Sequence, residues 1–228
     1  MKLALIGNGP SLKGFPLQSL SEIETFGMNA AYRYWEEIGW YPSYYACLDN
    51  VVGISHKENI LGMVANAKKL GIKKFFVRNN LYNWLEEQKN TKRVFNYDSL
   101  ALRLPELGHP ITTGSEAAVL AILMGFRNIG LFGIDCDYKN HVKSKKVGGS
   151  ILQMTETPKE NPNYFFNEYQ KYGDFFNVAE VSPNFHRNSW NKVKWVSDRY
   201  GANIVNCCQR SPFDLFPFFL ADEFILRS

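Results

Sequence analysis

The chain has 228 residues, of which 45% are hydrophobic and 21% charged, and it carries a formal net charge of +4. That balance excludes a disordered or fibrous chain and fits a single globular domain spanning residues 1–228. The basic residues are scattered apart from Lys143, Lys145 and Lys146, so no nucleic-acid partner is expected; the mild positive charge suits an acidic ligand or an anionic membrane surface.

The first element is a short apolar strand over 3–6, followed at once by Gly7, Asn8, Gly9, Pro10 and Ser11, a buried strand running into a tight loop. A second strand over 25–28 delivers Asn29, and a helix is predicted over 30–38. The strand at 44–48 ends in Asp49 and Asn50. A helical pattern over 59–70 closes at Gly71 and leads to a strand at 74–77, one complete helix-to-strand step. A helix over 79–88, a weak strand over 94–97 and a loop or short helix over 100–108 follow. Ile111, Thr112, Thr113 and Gly114 then introduce an alanine-rich helix over 115–124, and the strand 128–132 ends in Gly133, Ile134 and Asp135. A helix over 189–200 and a strand over 203–205 complete the series.

Strands alternating with helices at this spacing predict an α/β fold: a Rossmann-like, mostly parallel sheet with helices on both faces. Residues 139–185 break the rhythm. Long, polar and aromatic, they are expected to form a lid or acceptor-binding insertion.

The start of the chain runs directly into a strand, so no signal peptide is expected, and no stretch is long and apolar enough to span a bilayer. Cys47, Cys136, Cys207 and Cys208 lack metal-ligand spacing, and an adjacent pair such as Cys207 and Cys208 makes a poor structural disulfide, which fits a reducing cytoplasm. The four histidines are His56, His109, His141 and His186.

In an open parallel sheet, ligands bind beyond the carboxyl ends of the strands. The residues there form a coherent set: Asn8, Gly9 and Ser11; Asn29; Asp49 and Asn50; Asp135 and Asp137. Thr112, Thr113, Gly114 and Ser115 precede a helix, where backbone N–H groups and hydroxyls can hold a phosphate. The set is poor in Lys and Arg, as suits a base, ribose and single phosphate held by amides and hydroxyls. It contains no P-loop, and Lys13 stands where a dinucleotide fingerprint needs Gly or Ala, which weakens the case for ATP or NAD.

The segment Ile6 to Leu12 resembles the opening motif of the bacterial sialyltransferases of glycosyltransferase family 42 and of the wider group that includes the motility-associated Maf proteins. The resemblance continues in order through Asn29, Asn50, the Ile111–Gly114 turn, Gly133–Asp135, His186 to Ser189 and Asn206 to Ser211. It implies a CMP-sugar-dependent glycosyltransferase that moves sialic acid, a related nonulosonic acid or Kdo onto a glycan hydroxyl. The CMP-activated sugar would be the donor substrate, and no cofactor or metal would be required. Lipooligosaccharide or capsule polysaccharide biosynthesis at the cytoplasmic face of a membrane would be the setting; peripheral membrane association and homo-oligomerisation stay open. Carried over, Asn8, Gly9, Pro10, Ser11, Asn29, Asn50, Thr112, Thr113, Gly114, Gly133 and Asp135 are donor-nucleotide candidates, and His186 is the general base. An imidazole with an ordinary pKa near 6.5 can take a proton at neutral pH.

Two positions depart from the family pattern: His109 and Pro110 precede the threonine turn where a basic residue is common, and Asp137 stands one place before Tyr138. Tyr138, Tyr164 and Tyr169 are therefore the acceptor or lid candidates. Asp49, as the nucleophile of a retaining transferase, and Asp137 are secondary catalytic candidates. Two alternatives remain open: an ATP- and magnesium-dependent pterin pyrophosphokinase-like enzyme, with Asp49, Asp135 and Asp137 gathered at a metal, and a non-catalytic nucleotide-binding module in polysaccharide assembly.

Overall fold

The computed structural model describes residues 1–139, 143–177 and 185–226; His141 and part of the expected lid lie outside them. In chain order the elements begin with β1 (Lys2–Ile6), β2 (Glu24–Met28), α1 (Tyr32–Ile38), β3 (Tyr44–Cys47), α2 (Asn50–Ser55), α3 (Lys57–Ala65) and α4 (Ala67–Leu70). They continue with β4 (Lys74–Val77), α5 (Asn79–Glu87), β5 (Val94–Asn96), α6 (Tyr97–Ala101), α7 (Thr113–Leu123) and β6 (Asn128–Phe132). After these come β7 (Ser144–Gly148), β8 (Ile151–Met154), β9 (Phe175–Asn177), α8 (Phe185–Tyr200), β10 (Asn203–Asn206) and α9 (Ala221–Leu226).

Seven strands form one parallel sheet in the order β10-β6-β1-β2-β3-β4-β5. Alternating residues of β1 enter the two cores. Ala4 and Ile6 join Trp35, Tyr45 and Phe75 on one face, while Leu3 and Leu5 join α7, Trp190 and Phe213 on the other. This is the period of two that a strand buried on both sides imposes. In helix α7 the run from Ser115 to Ile122 is buried, so apart from Ser115 and Glu116 its sequence is apolar on every side rather than striped. Among the described residues, no helix is long and apolar enough to cross a membrane.

The succession reverses direction between β1 and β6. Later strands run outward from β1 through β2 to β5 on one side and through β6 to β10 on the other, which puts the switch point, beside which ligands bind in open sheets, at the carboxyl ends of β1 and β6. Every sequence-predicted strand of this sheet is found within about two residues of its expected bounds.

The helices depart further from expectation. The pattern at 59–70 is two helices, α3 and α4, separated at Asn66, whose side chain donates to the Gly62 carbonyl at 2.9 Å and competes with the helical ladder. The short helix expected somewhere in 100–108 is α6, which begins earlier because Asn96 caps it by accepting from the amides of Asp98 and Ser99. Within the expected lid, β7, β8 and β9 make a separate three-stranded antiparallel sheet. Its first strand is almost wholly exposed, with no alternation of apolar and polar residues to announce it.

Candidate functional site

Strand β1 ends beneath two glycines that permit close approach of the β6 loop. The Gly7 and Gly9 amides donate to the carbonyls of Phe132 (2.7 Å) and Gly133 (2.8 Å). A Cβ at Gly7 would collide with the Gly133 carbonyl, and one at Gly9 with the Asp135 carboxylate. Gly133 itself has φ +66°, a left-handed conformation that favours glycine. Asp135 is buried and ties the two loops together, accepting from the Ser11 amide at 2.8 Å and from the Ser11 hydroxyl. Behind this turn, the Asn206–Ser211 segment acts as a brace. Ser211 donates to the Ile134 carbonyl at 2.7 Å, and the Gly133 amide to the Cys208 sulfur at 3.1 Å. The Ser11–Asp135 and Gly9–Gly133 contacts therefore shape the loop that follows β1.

Asn8 faces a different set of partners. Its amide donates to the Tyr169 hydroxyl at 3.0 Å and reaches the Met28 carbonyl at 3.5 Å. Its carbonyl oxygen Oδ1 is buried, and no donor among the described residues reaches it. A buried acceptor left unpaired costs about 1–3 kcal/mol, so an incoming N–H or O–H would be favoured there.

Asn29 stands at the end of β2 with φ +54°, a left-handed conformation that asparagine tolerates better than most residues. Its backbone carbonyl accepts from Tyr45 at 2.9 Å, and its side-chain oxygen accepts from the Thr113 hydroxyl at 3.3 Å. Thr113 in turn accepts from the Leu48 amide at 3.2 Å. The ends of β2 and β3 thus meet the start of α7, where Thr112 is the N-cap and accepts from the Ser115 amide at 3.4 Å. Gly114, next along, lies under Trp190: a Cβ there would sit 3.3 Å from the indole.

Helix α8 brings His186 to this region. Thr112 and Ser189 join hydroxyl to hydroxyl at 3.0 Å, and the Ser189 hydroxyl also meets the His186 carbonyl at 2.7 Å. One turn further on, Lys192 pairs with the fully buried Glu116 of α7 and donates to the Gly108 carbonyl at 2.6 Å, while Tyr97 donates to Glu116 at 2.5 Å. Burial pushes the Glu116 carboxyl up, opposed by Lys192 and Tyr97. The His186 ring packs against Tyr138 at 4.7 Å and Phe185 at 5.6 Å. Burial lowers its pKa below the ordinary imidazole value, so the ring is neutral at pH 7 and able to accept a proton.

The three tyrosines gather at the same crevice. Tyr164 and Tyr169 stack at 3.7 Å and 16°. Burial raises the pKa of both, and the Asp49 carboxylate adds to the effect on Tyr164. Both phenols are therefore protonated donors at neutral pH, while Tyr138 keeps 45% of its surface exposed.

Other candidates are placed elsewhere or engaged differently. Asp49 caps α2 through the amides of Val51 (2.8 Å) and Val52 (3.1 Å), and both its oxygens accept from Asn177 at 3.0 Å. That makes it an anchor for β9. Asn50 is exposed at the start of α2 and lines a cavity of about 520 Å³ with Arg78, Asn79, Asn80, Asp98, Ser99 and Leu102. Asp137 and Pro10 are exposed at the rim. His56 is buried against the Tyr32 hydroxyl at 2.8 Å. Among the described residues, no group of three or more His, Cys, Asp or Glu side chains is arranged to hold a metal ion. Sequence reasoning missed Arg33 and Asp174, whose ion pair fastens the 164–177 segment to α1.

No protein-family model matches the sequence, and no curated protein matches it either. The whole chain does superpose on solved structures of the sialyltransferase CstII. One, in complex with a trisaccharide acceptor and CMP, shares 18% identity over 100% of this chain and 89% of its own, with a TM-score of 0.60. Another, the Campylobacter jejuni enzyme with the substrate analogue CMP-3FNeuAc, shares 17% identity over 96% of this chain and 85% of its own, with a TM-score of 0.59. A Maf glycosyltransferase from Magnetospirillum magneticum AMB-1 matches at 16% identity and a TM-score of 0.50, over 96% of this chain but only 33% of its own. The α/β fold expected from the motifs is thus the fold of these proteins.

Proposed function

We propose that the chain is a glycosyltransferase that moves an acidic sugar, sialic acid or a related nonulosonic acid or Kdo, from a CMP donor to a glycan hydroxyl. The observation that carries the reading is the meeting of two half-sites in one crevice. An amide- and hydroxyl-rich half, suited to a nucleotide, is built from Asn8, Asn29, Thr113 and Gly114, and a neutral half-buried imidazole, His186, is tied to it through Thr112 and Ser189. The fold shared with CMP-bound sialyltransferases supports the same assignment.

In this reading the acceptor hydroxyl attacks the anomeric carbon while His186 takes its proton, and the bond from that carbon to the CMP phosphate oxygen breaks. The departing CMP keeps the bonding electrons on its phosphate. Protonated phenols at Tyr164 and Tyr169, with the α7 N-terminus, are suited to hydrogen-bond that phosphate. The buried Oδ1 of Asn8 gives the nucleotide an acceptor. Segment 139–185 would serve as the lid over the bound donor.

The test is a thermal-shift panel of CMP, CDP, UMP, ADP, NAD and ATP with magnesium, since a ligand that binds only the native state raises its melting temperature. The expected result is stabilisation by CMP without added metal, lost in Asn29→Ala. Stabilisation by ATP with magnesium alone would replace this reading with the pyrophosphokinase one, and silence across the panel would favour a module without turnover.

A further inference from the structure

Arg33 is half-buried on α1, beside Tyr32, and its strongest partners lie more than 130 residues further along the chain. Its Nη1 donates to the Tyr169 carbonyl at 2.9 Å and to Asp174 Oδ2 at 2.5 Å, while Nη2 donates to Asp174 Oδ1 at 2.9 Å. Asp174 also accepts from the Lys171 amide at 2.7 Å, closing the turn between these partners. One guanidinium thus fixes both ends of the short stretch 169–174. A planar fork is suited to this, since three acceptors in two directions exceed what a single ammonium can hold in fixed geometry.

The stretch matters because of what precedes it. Tyr169 extends its hydroxyl to Asn8, and the Phe165 amide donates to the Asn8 carbonyl at 3.1 Å. Beyond the turn, the Phe175 amide donates to Ser55 at 2.9 Å and Asn177 reaches Asp49. Of these ties, the Arg33 pair is the ionic one, with side chains only 16% and 13% exposed and little screened by solvent.

We propose that Arg33 is a positioning residue for the nucleotide half-site: by clamping the Tyr169 carbonyl and Asp174, it holds the Tyr169 hydroxyl and the stacked Tyr164 against the Asn8 loop. The inference rests on the CMP-donor reading for its ligand, while the clamp itself is independent of it. Loss of the fork leaves Tyr34 packed on Phe165 and Phe166 as the contact with α1, loosens residues 169–174 and lets the Tyr169 hydroxyl drift from Asn8, weakening CMP binding without touching the nucleotide directly.

The experiment uses the full chain with Arg33→Met, Arg33→Lys and Tyr169→Phe, singly and combined. Hydrogen exchange without ligand reads the clamp: faster exchange confined to 164–177 is expected in Arg33→Met, with partial protection restored in Arg33→Lys. Unchanged exchange there would overturn the clamp whatever the chain binds. Calorimetric titration with CMP reads the positioning role. Arg33→Met should weaken CMP about tenfold in the parent but leave affinity nearly unchanged in a Tyr169→Phe background, because the hydroxyl it positions is gone. Additive losses would overturn the positioning role. Absence of CMP binding by the parent chain would refute the donor reading and the positioning role with it, leaving the exchange result to decide the clamp alone.

Discussion

The hydroxyls of Thr112 and Ser189 meet at 3.0 Å, joining the cap of α7 to the turn of α8 that carries the candidate base, His186. With the Lys192–Glu116 pair one turn deeper, it sets α7 and α8 in register at two successive levels. Ser189→Ala removes the upper tie and keeps the lower. The expected outcome is a loss of about 1 kcal/mol in stability and a larger fall in kcat than in CMP affinity. Equal losses in both would mean that the tie shapes the nucleotide half rather than the placement of His186.

His186 must be neutral to act as a base, and burial holds its pKa below 6.5. Turnover should therefore be flat through neutrality and fall only as acid protonates the ring, with the midpoint of the acid limb in kcat/KM below 6.5. His186→Ala should lower kcat by roughly 10²–10⁴-fold, the usual worth of a general base, while keeping CMP-induced thermal stabilisation. An acid limb centred above 6.5, or full turnover in the alanine variant, would remove His186 from the chemistry.

Lys192 and Glu116 form a buried ion pair with Tyr97 and Gly108 as additional partners. Removing one charge leaves the other uncompensated in a place where burial already opposes ionisation, so Lys192→Met should cost about 3–5 kcal/mol. The double variant Lys192→Met, Glu116→Leu should be less damaged than either single change predicts by addition. Urea denaturation of the four proteins measures the coupling, and strict additivity would show that the pair contributes nothing as a pair.

His56 is 4% exposed and its pKa is pushed down to about 4, chiefly by burial, against the raising effect of Asp174 and with a smaller lowering by Arg33. In the unfolded chain the imidazole binds a proton near pH 6.5, whereas the folded protein resists it until about 4. Between those values the unfolded state holds more protons, so stability falls as pH drops, by ~3 kcal/mol across the window. His56→Asn, which can still accept from Tyr32, should flatten that part of the stability–pH curve. An unchanged slope between pH 6.5 and 4 would assign the acid sensitivity to carboxylates instead.

How much of this was legible in the sequence follows from the range of the interactions. Strand ends could be read because apolar runs stop where Asn8, Asn29, Asp49 and Asp135 begin, a local signal. Asn29 and Thr113 were each legible as ligand-edge residues, one after a strand and one before a helix, but their hydrogen bond depends on how α7 packs beneath the sheet edge and has no local signal. Arg33 gave no such signal: its partner Asp174 lies 141 residues away, and nothing around an arginine in an amphipathic helix distinguishes a clamp from a solvated face. Asp49 was legible in part: a carboxylate after a strand is more often a cap than a catalyst, and the Val51 and Val52 amides show the capping contact, whereas the Asn177 contact, 128 residues away, had no local signal.

Gly9 offers the sharpest test of the crevice itself. Its φ of −70° is open to any residue, so glycine is required there by proximity and not by backbone conformation. A methyl group would run into the Asp135 carboxylate and lie 2.9 Å from the Gly133 carbonyl. Neither can retreat cheaply, because Asp135 is held by Ser11 and the Gly133 turn is braced by Cys208. Gly9→Ala should therefore cost about 1–3 kcal/mol of stability, as overpacking does, and separate the β1 and β6 loops enough to abolish the thermal response to CMP. Gly14→Ala serves as the control: it lies on the same loop with φ +82° but with open space around it, so it is strained without any collision in the crevice. Comparable destabilisation in both, with the CMP response lost only in Gly9→Ala, would tie nucleotide binding to the Gly9–Asp135 contact. Retention of the response in Gly9→Ala would place the nucleotide away from this turn.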